Sequence, residues 1–233
     1  MSLAWLRATL SPRARELENL AERMSTPLPV RRRVGLVAVT DGCGATTVAT
    51  EMTRMLSLHR SDRLLLVTRT DPDSQRYRWT GTVKQLHGNI AQDPIGSWSE
   101  STDGHQLTHD ITVTDWGSAP LTQMRAIAAH SHALCLVTPA IRHLIQSTLD
   151  VGWELEKQHP VRIAVVDVQG AVGPSISTLV HHLPLPATLL RHSPRLARRG
   201  GPARLREPDA LELYRLSVGV VQDLRHSCEE RHA

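Results

Sequence analysis

One stretch of this chain has the residue types and spacing of an anion site. Thr40-Asp41-Gly42-Cys43-Gly44-Ala45-Thr46-Thr47 follows an apolar run and leads directly into a helical pattern. Glycines at 42 and 44 let the backbone curl so that successive N–H groups converge, and a helix N-terminus adds partial positive charge. That is a phosphate cradle in outline, with the Thr46 hydroxyl placed to meet Mg²⁺. The full pattern GxxxxGK[ST] is broken twice, because Val39 stands at the first Gly and Ala45 at the Lys. A Gly-rich turn between strand and helix also occurs in sheets that bind nothing. The stretch alone leaves both readings open.

Other reactive side chains are less well placed. His130 and His132, and His181 and His182, lack the i, i+4 spacing and the companion carboxylates of a helical metal site, so they read as surface histidines. Cys43 precedes a helix start, a position that lowers a thiol pKa, but no base accompanies it. Ser118 and Ser175 have no triad context. Trp79 and Trp98, in a polar middle region, read as ordinary packing rather than an interaction surface.

Alternating strands and helices must position these groups. Near-continuous apolar runs at 34–39, 64–67, 111–114, 133–137 and 162–168 read as strands buried on both faces, with a shorter one at 188–190. Helical spacing appears at 46–58, 121–129, 141–157, 175–182 and 209–225. Residues 70–109 are polar and read as long loops around short elements. The expected fold is α/β: a doubly wound, mostly parallel sheet with helices on both faces. Leu3 to Met24 has helical spacing interrupted by Pro12, and Ser25-Thr26-Pro27-Leu28-Pro29 reads as an extended linker. The chain therefore divides into an N-terminal helical extension with its linker, residues 1–30, and a main domain, residues 31–233.

Composition narrows the class. The chain has 233 residues, 40% apolar and 21% charged, which is enough to bury a core and excludes global disorder. No apolar run reaches the roughly 18–20 residues of a membrane-spanning helix, and no compact signal segment opens the chain. Cys43, Cys135 and Cys228 form no CxxC pair, so neither a disulfide framework nor a zinc knuckle is supported and a cytoplasmic setting is expected. Formal net charge is +4, carried almost wholly by Arg, since Lys84 and Lys157 are the only lysines. Arginines cluster at 31–33 and along 191–206, a surface that nucleic acid or an acidic membrane face could meet.

The stretch Thr40 to Thr47 resembles the variant phosphate loop of the MinD/ParA group of P-loop ATPases, K-G-G-x-G-K-T-T. The likeness extends beyond the loop. Leu64 to Asp73 is similar to the family's second strand ending in D-x-[DN]-P, with Arg69 at the first Asp and Asp71 and Pro72 matching. His109 to Asp115 resembles the Walker B strand, with Asp115 as its terminal carboxylate. The lead-in from Arg15 through Ser25-Thr26-Pro27-Leu28-Pro29 is similar to MinD-like ATPases associated with type VII secretion, which carry an R-T-P-L-type linker.

This resemblance implies a P-loop NTPase-like fold and a nucleotide site at Asp41, Gly42, Cys43, Gly44, Ala45, Thr46 and Thr47. It further implies Mg²⁺ at Thr46 and Asp115, switch-like positions at Arg69 and Asp71, and a base-side position at Asp167. The implied cofactor is ATP or ADP with Mg²⁺, if any is held. The departures point away from hydrolysis: Thr40 and Ala45 replace both family lysines, Arg69 the water-positioning Asp, and Asp167 the base-reading Asn. The expected protein is a pseudo-ATPase acting through protein–protein contacts. Its implied partners are a second copy, an intact MinD/ParA-like ATPase, or membrane-associated secretion machinery that would place it at the membrane periphery. An active ATPase with a substitute Arg, and a nonspecific nucleic-acid-binding module, are the competing expectations.

Overall fold

The computed structural model describes residues 11–68, 83–87, 105–194 and 207–229. In chain order the elements are α1 (Pro12–Met24), β1 (Arg32–Ala38), α2 (Ala45–His59), β2 (Leu64–Thr68), β3 (Val83–His87), β4 (Ile111–Ser118) and α3 (Leu121–Ala129). There follow β5 (Ala133–Pro139), α4 (Arg142–Glu156), β6 (Val161–Val166), α5 (Pro174–His181), β7 (Ala187–Leu190) and α6 (Glu207–Glu229). Seven strands form one sheet in the order β3-β2-β4-β1-β5-β6-β7, and every pairing is parallel.

The apolar runs lie in the middle of the sheet because helices cover both of its faces. On one face Val34, Leu36, Val113 and Cys135 pack against α2, α6 and the end of α1, where Leu20 and Met24 are buried. On the other, Val37, Val67, Trp116 and Leu136 pack against α3 and α4, and Ile163 and Val165 pack with Val180 of α5. β1 runs at the centre of the sheet, so its carboxyl end opens at the crevice where ligands gather in doubly wound folds.

One expectation is made specific and one changes. β3 is a strand at the sheet edge, a short element within residues 70–109, which were expected to hold long loops around short elements. Its Val83-Lys84-Gln85-Leu86 pattern is polar because an edge strand keeps one side in water, and it carries none of the apolar continuity of a central strand. β4 does not end at Asp115 but continues to Ser118. Leu36 pairs with Asp115 and Ala38 with Ser118, so β4 has one more residue than β1 over that interval. Such a bulge bends the strand and re-aims its side chains. Asp115 therefore sits inside the strand and fully buried.

α1 begins at Pro12, whose fixed φ suits a first helical position, and Ser11 Oγ accepts from Ala14 N–H at 3.2 Å. Helical spacing upstream of Ser11, and the segment 195–206, fall outside the described residues. Met24 is 1% exposed, the Arg60 guanidinium bonds the Thr26 carbonyl at 2.9 Å, and Arg215 of α6 pairs with Glu16. α1 and its following turn are thus held on the same core as α2 and α6.

Candidate functional site

The turn between β1 and α2 adopts the conformation its glycines allow. Gly42 and Gly44 take φ of +74° and +91°, the left-handed region that other residues enter at a cost. A side chain at Gly42 would meet nothing within 4 Å, so the space above the turn is open. Gly44 caps α2 without any side-chain hydrogen bond. Among the described residues no backbone carbonyl receives the N–H of Gly42, Cys43 or Gly44. Open space, left-handed glycines and amides without a backbone acceptor before a helix are the features of an anion cradle.

β4 pins this turn from below. Thr46 Oγ1 donates to Asp115 Oδ2 at 2.5 Å, and Asp115 Oδ1 accepts from Gly117 N–H at 3.0 Å. Gly117 has φ of +64°, which lets the chain fold back over the carboxylate. The Ser118 hydroxyl donates to the exposed Asp41 carboxylate. The bulge of β4 thereby delivers one buried and one exposed tie to the loop. Ser118, which has no triad context in the sequence, is a loop anchor and not a nucleophile in the fold.

Cys43 and Ala45 turn inward instead. Cys43 is 2% exposed and its thiol donates to the Val137 carbonyl at 3.4 Å. Burial pushes this thiol up, against the opposing pull of nearby N–H groups of Ala45, Thr40 and Cys43 itself. The lowering expected beside a helix N-terminus is thus outweighed by desolvation. Ala45 buries its methyl in the core cluster that holds Val48 and Ala49.

A cavity of about 230 Å³ extends from the turn to the carboxyl ends of β6 and β7. Gly42, Gly44 and Thr47 form one wall, and Asp167, Leu190, Arg191 and His192 another. Glu51, fully buried and paired with Arg54 at 2.7 Å, closes the side along α2. Glu51 follows Thr47 by one helical turn, a spacing that could have located it from the sequence. Arg191 brings positive charge to the lining; the short strand read at 188–190 places the end of β7 beside it, and only the sheet order sets that end across the cavity.

Asp167 has work of its own. Its Oδ1 accepts the N–H groups of Gly170 at 2.7 Å, Ala171 at 3.2 Å and Gln169 at 3.3 Å, and its Oδ2 that of Val172 at 3.5 Å. The carboxylate organises the turn after β6 while also facing the cavity. Arg69 and Asp71 lie outside the described residues, as do Trp79 and Trp98. His132 Nδ1 accepts from the Arg33 N–H at 3.1 Å, and the rings of His181 and His182 meet edge-on at 6.1 Å. No group of three or more metal-ligating side chains occurs among the described residues.

No family model matches the chain, and no curated protein matches it. Solved structures do. The cell division ATPase MinD of Pyrococcus furiosus superposes with a TM-score of 0.53 at 17% identity, covering 85% of this chain and 98% of that one. The septum site-determining protein MinD of Pyrococcus horikoshii, solved with Mg-ADP, gives 0.55 at 15% identity over 85% and 95%. A chain of the MinC:MinD complex of Aquifex aeolicus gives 0.52 at 10% over 85% and 96%. The chain has the MinD/ParA fold. At these identities the likeness is one of fold alone. No helix among the described residues is long and apolar enough to cross a membrane.

Proposed function

We propose that this protein is a degenerate MinD/ParA-type ATPase, weakly hydrolysing or non-hydrolysing, that works by binding another protein. The observation that supports this most is Ala45. Its buried methyl stands where a cation would bridge phosphates, and no residue from Thr40 to Thr47 is basic. Losing a single group aimed at transition-state charge costs about 10²- to 10³-fold in rate. Thr40 and Ala45 remove two, and little turnover is expected to survive.

Binding has more support than hydrolysis. The open turn, its amides and the α2 dipole need no lysine to accept phosphate oxygens. ATP or ADP fits this cradle, with Thr46 and Asp115 as the residues that would hold Mg²⁺ and Asp167 on the base side. The metal, when bound, would offset phosphate charge. Glu51, Asp167 and Asp209 add carboxylates to the cavity lining, which favours weak binding. The partner would be a second copy or an intact MinD/ParA-like ATPase whose lysines complete the site. The resemblance of the lead-in makes membrane-associated secretion machinery a further candidate. One competing reading keeps hydrolysis with a substitute arginine, and Arg191 on the cavity wall is the observation that favours it.

Titration calorimetry with ATP and ADP, with and without Mg²⁺, and a phosphate-release assay test the proposal together. Weak binding with release at the blank rate is expected. Turnover that disappears in both Thr46→Ala and Asp115→Ala would overturn it.

A further inference from the structure

Among the described residues no strand pairs with the outer edge of β7, which faces a long groove of about 790 Å³. α5 borders it on one face of the sheet, and α1 and α6 border it on the other. The Ile163 N–H donates to the Pro186 carbonyl and the Asp167 N–H to that of Leu190, each at 2.8–2.9 Å. In a parallel ladder alternate residues serve opposite neighbours, so Ala187 and Leu189 turn their N–H and C=O groups outward. No other strand pairs there among the described residues.

Charge distinguishes the two banks. Arg15 and Arg23 of α1 and Arg215 of α6 line the α1/α6 bank, Arg162 stands at its lower end and Arg191 at the upper. Glu16 and Glu212 are the carboxylates in the lining, and both pair with Arg215. Arg162 pairs with Asp223. Arg23 and Arg191 are exposed and carry no ion pair among the described residues. The α5 bank is milder, with Ser177, Val180 and His181.

We propose that this groove docks an extended acidic segment of a partner protein, which adds to β7 as one further parallel or antiparallel strand. Main-chain pairing with Ala187 and Leu189 supplies affinity, as in other strand additions. Side chains of the added strand alternate between the banks. One row, carrying Asp or Glu, meets Arg23 and Arg191; the other, small and apolar, meets Val180. A peptide fits better than a nucleic acid, because the lining offers no Phe, Tyr or Trp for base stacking and places Glu16 and Glu212 among the arginines. Nothing in this proposal requires a nucleotide in the cavity.

The test uses the full chain and a fluorescein-labelled hexapeptide of alternating Glu and Val, followed by anisotropy at low and high salt. Three further probes are its Lys/Val counterpart, the Glu/Val peptide N-methylated at alternate amides, and a short DNA duplex. Saturable binding of the Glu/Val peptide is expected, weakened at least tenfold by N-methylation and at least tenfold in the Arg23→Glu, Arg191→Glu double variant. The N-methylated arm needs no protein variant, so a misfolded mutant cannot mimic support. Equal binding of the Lys/Val peptide, indifference to both changes, or no saturable peptide binding at low salt would overturn the proposal. DNA binding that the double variant abolishes, without peptide binding, would assign the groove to nucleic acid and overturn it too.

Discussion

The Thr46 hydroxyl and the Asp115 carboxylate, 69 residues apart in sequence, meet at 2.5 Å beneath the β1–α2 turn. Asp115 is fully buried, and its other oxygen takes the Gly117 N–H. Replacing Thr46 by Val removes a hydrogen-bond donor from a buried carboxylate, a loss of about 1–3 kcal/mol. Urea denaturation should show that loss, and Thr46→Ser should recover most of it. Equal stability of all three proteins would remove the tie from the fold's energetics.

Restoring the missing cation is the converse experiment. Ala45→Lys places an ammonium at the first residue of α2, where a charge-assisted hydrogen bond to a phosphate oxygen is worth about 1.5–3 kcal/mol. Affinity for Mg-ATP should rise by tenfold or more in calorimetry. Unchanged affinity in a variant that keeps the parent's thermal stability would mean that a lysine at this position does not reach phosphate.

Gly44 caps α2 at φ +91°, and a Cβ there would meet only Val166, at an ordinary 3.5 Å. Space is therefore not the constraint; backbone conformation is. Gly44→Ala should cost roughly 1–2 kcal/mol from the left-handed conformation alone. Thermal denaturation of Gly44→Ala beside Gly173→Ala, where φ is negative and the space is open, separates the two effects.

α1 should contribute to global stability. Met24 is 1% exposed, and truncation to Ala should cost about 2–5 kcal/mol. Leu17, 42% exposed on the same helix, should change stability by about 0.5 kcal/mol or less. Similar effects at both positions would show that α1 is not packed as described.

His59 stacks on Tyr214 at 4.7 Å, and burial, with help from the Arg54 charge, pulls its pKa below the usual histidine value. The unfolded chain then binds more protons in that window. Stability should fall as pH drops through about 6.5, the ordinary histidine value, and level off below the folded pKa. His59→Gln should flatten that part of the stability–pH curve. A slope that survives the substitution would assign it to another group.

Much of this architecture is legible without coordinates. The runs at 34–39, 64–67, 133–137 and 162–168 are so apolar that only a sheet covered on both faces can bury them, and the intervening helical spacing supplies the cover. β3 was not legible, because Lys84 and Gln85 on an edge strand look like loop. The length of β4 was not legible either, since a polar Asp115 looks like a strand end unless the bulge beyond it is seen.

The cradle divides in the same way. Gly42 and Gly44 declare a turn that few other residues could form, and Ala45 declares the absence of a lysine, both because backbone conformation and side-chain chemistry are local properties. Which carboxylate would meet Thr46, what would stand across the cavity, and which strand would lie last in the sheet of the described residues were decided only by tertiary packing. Asp115, Arg191 and Leu189 are brought to those places by sheet order and strand register, which arise from contacts between residues far apart in the chain and leave no mark in any short window of it.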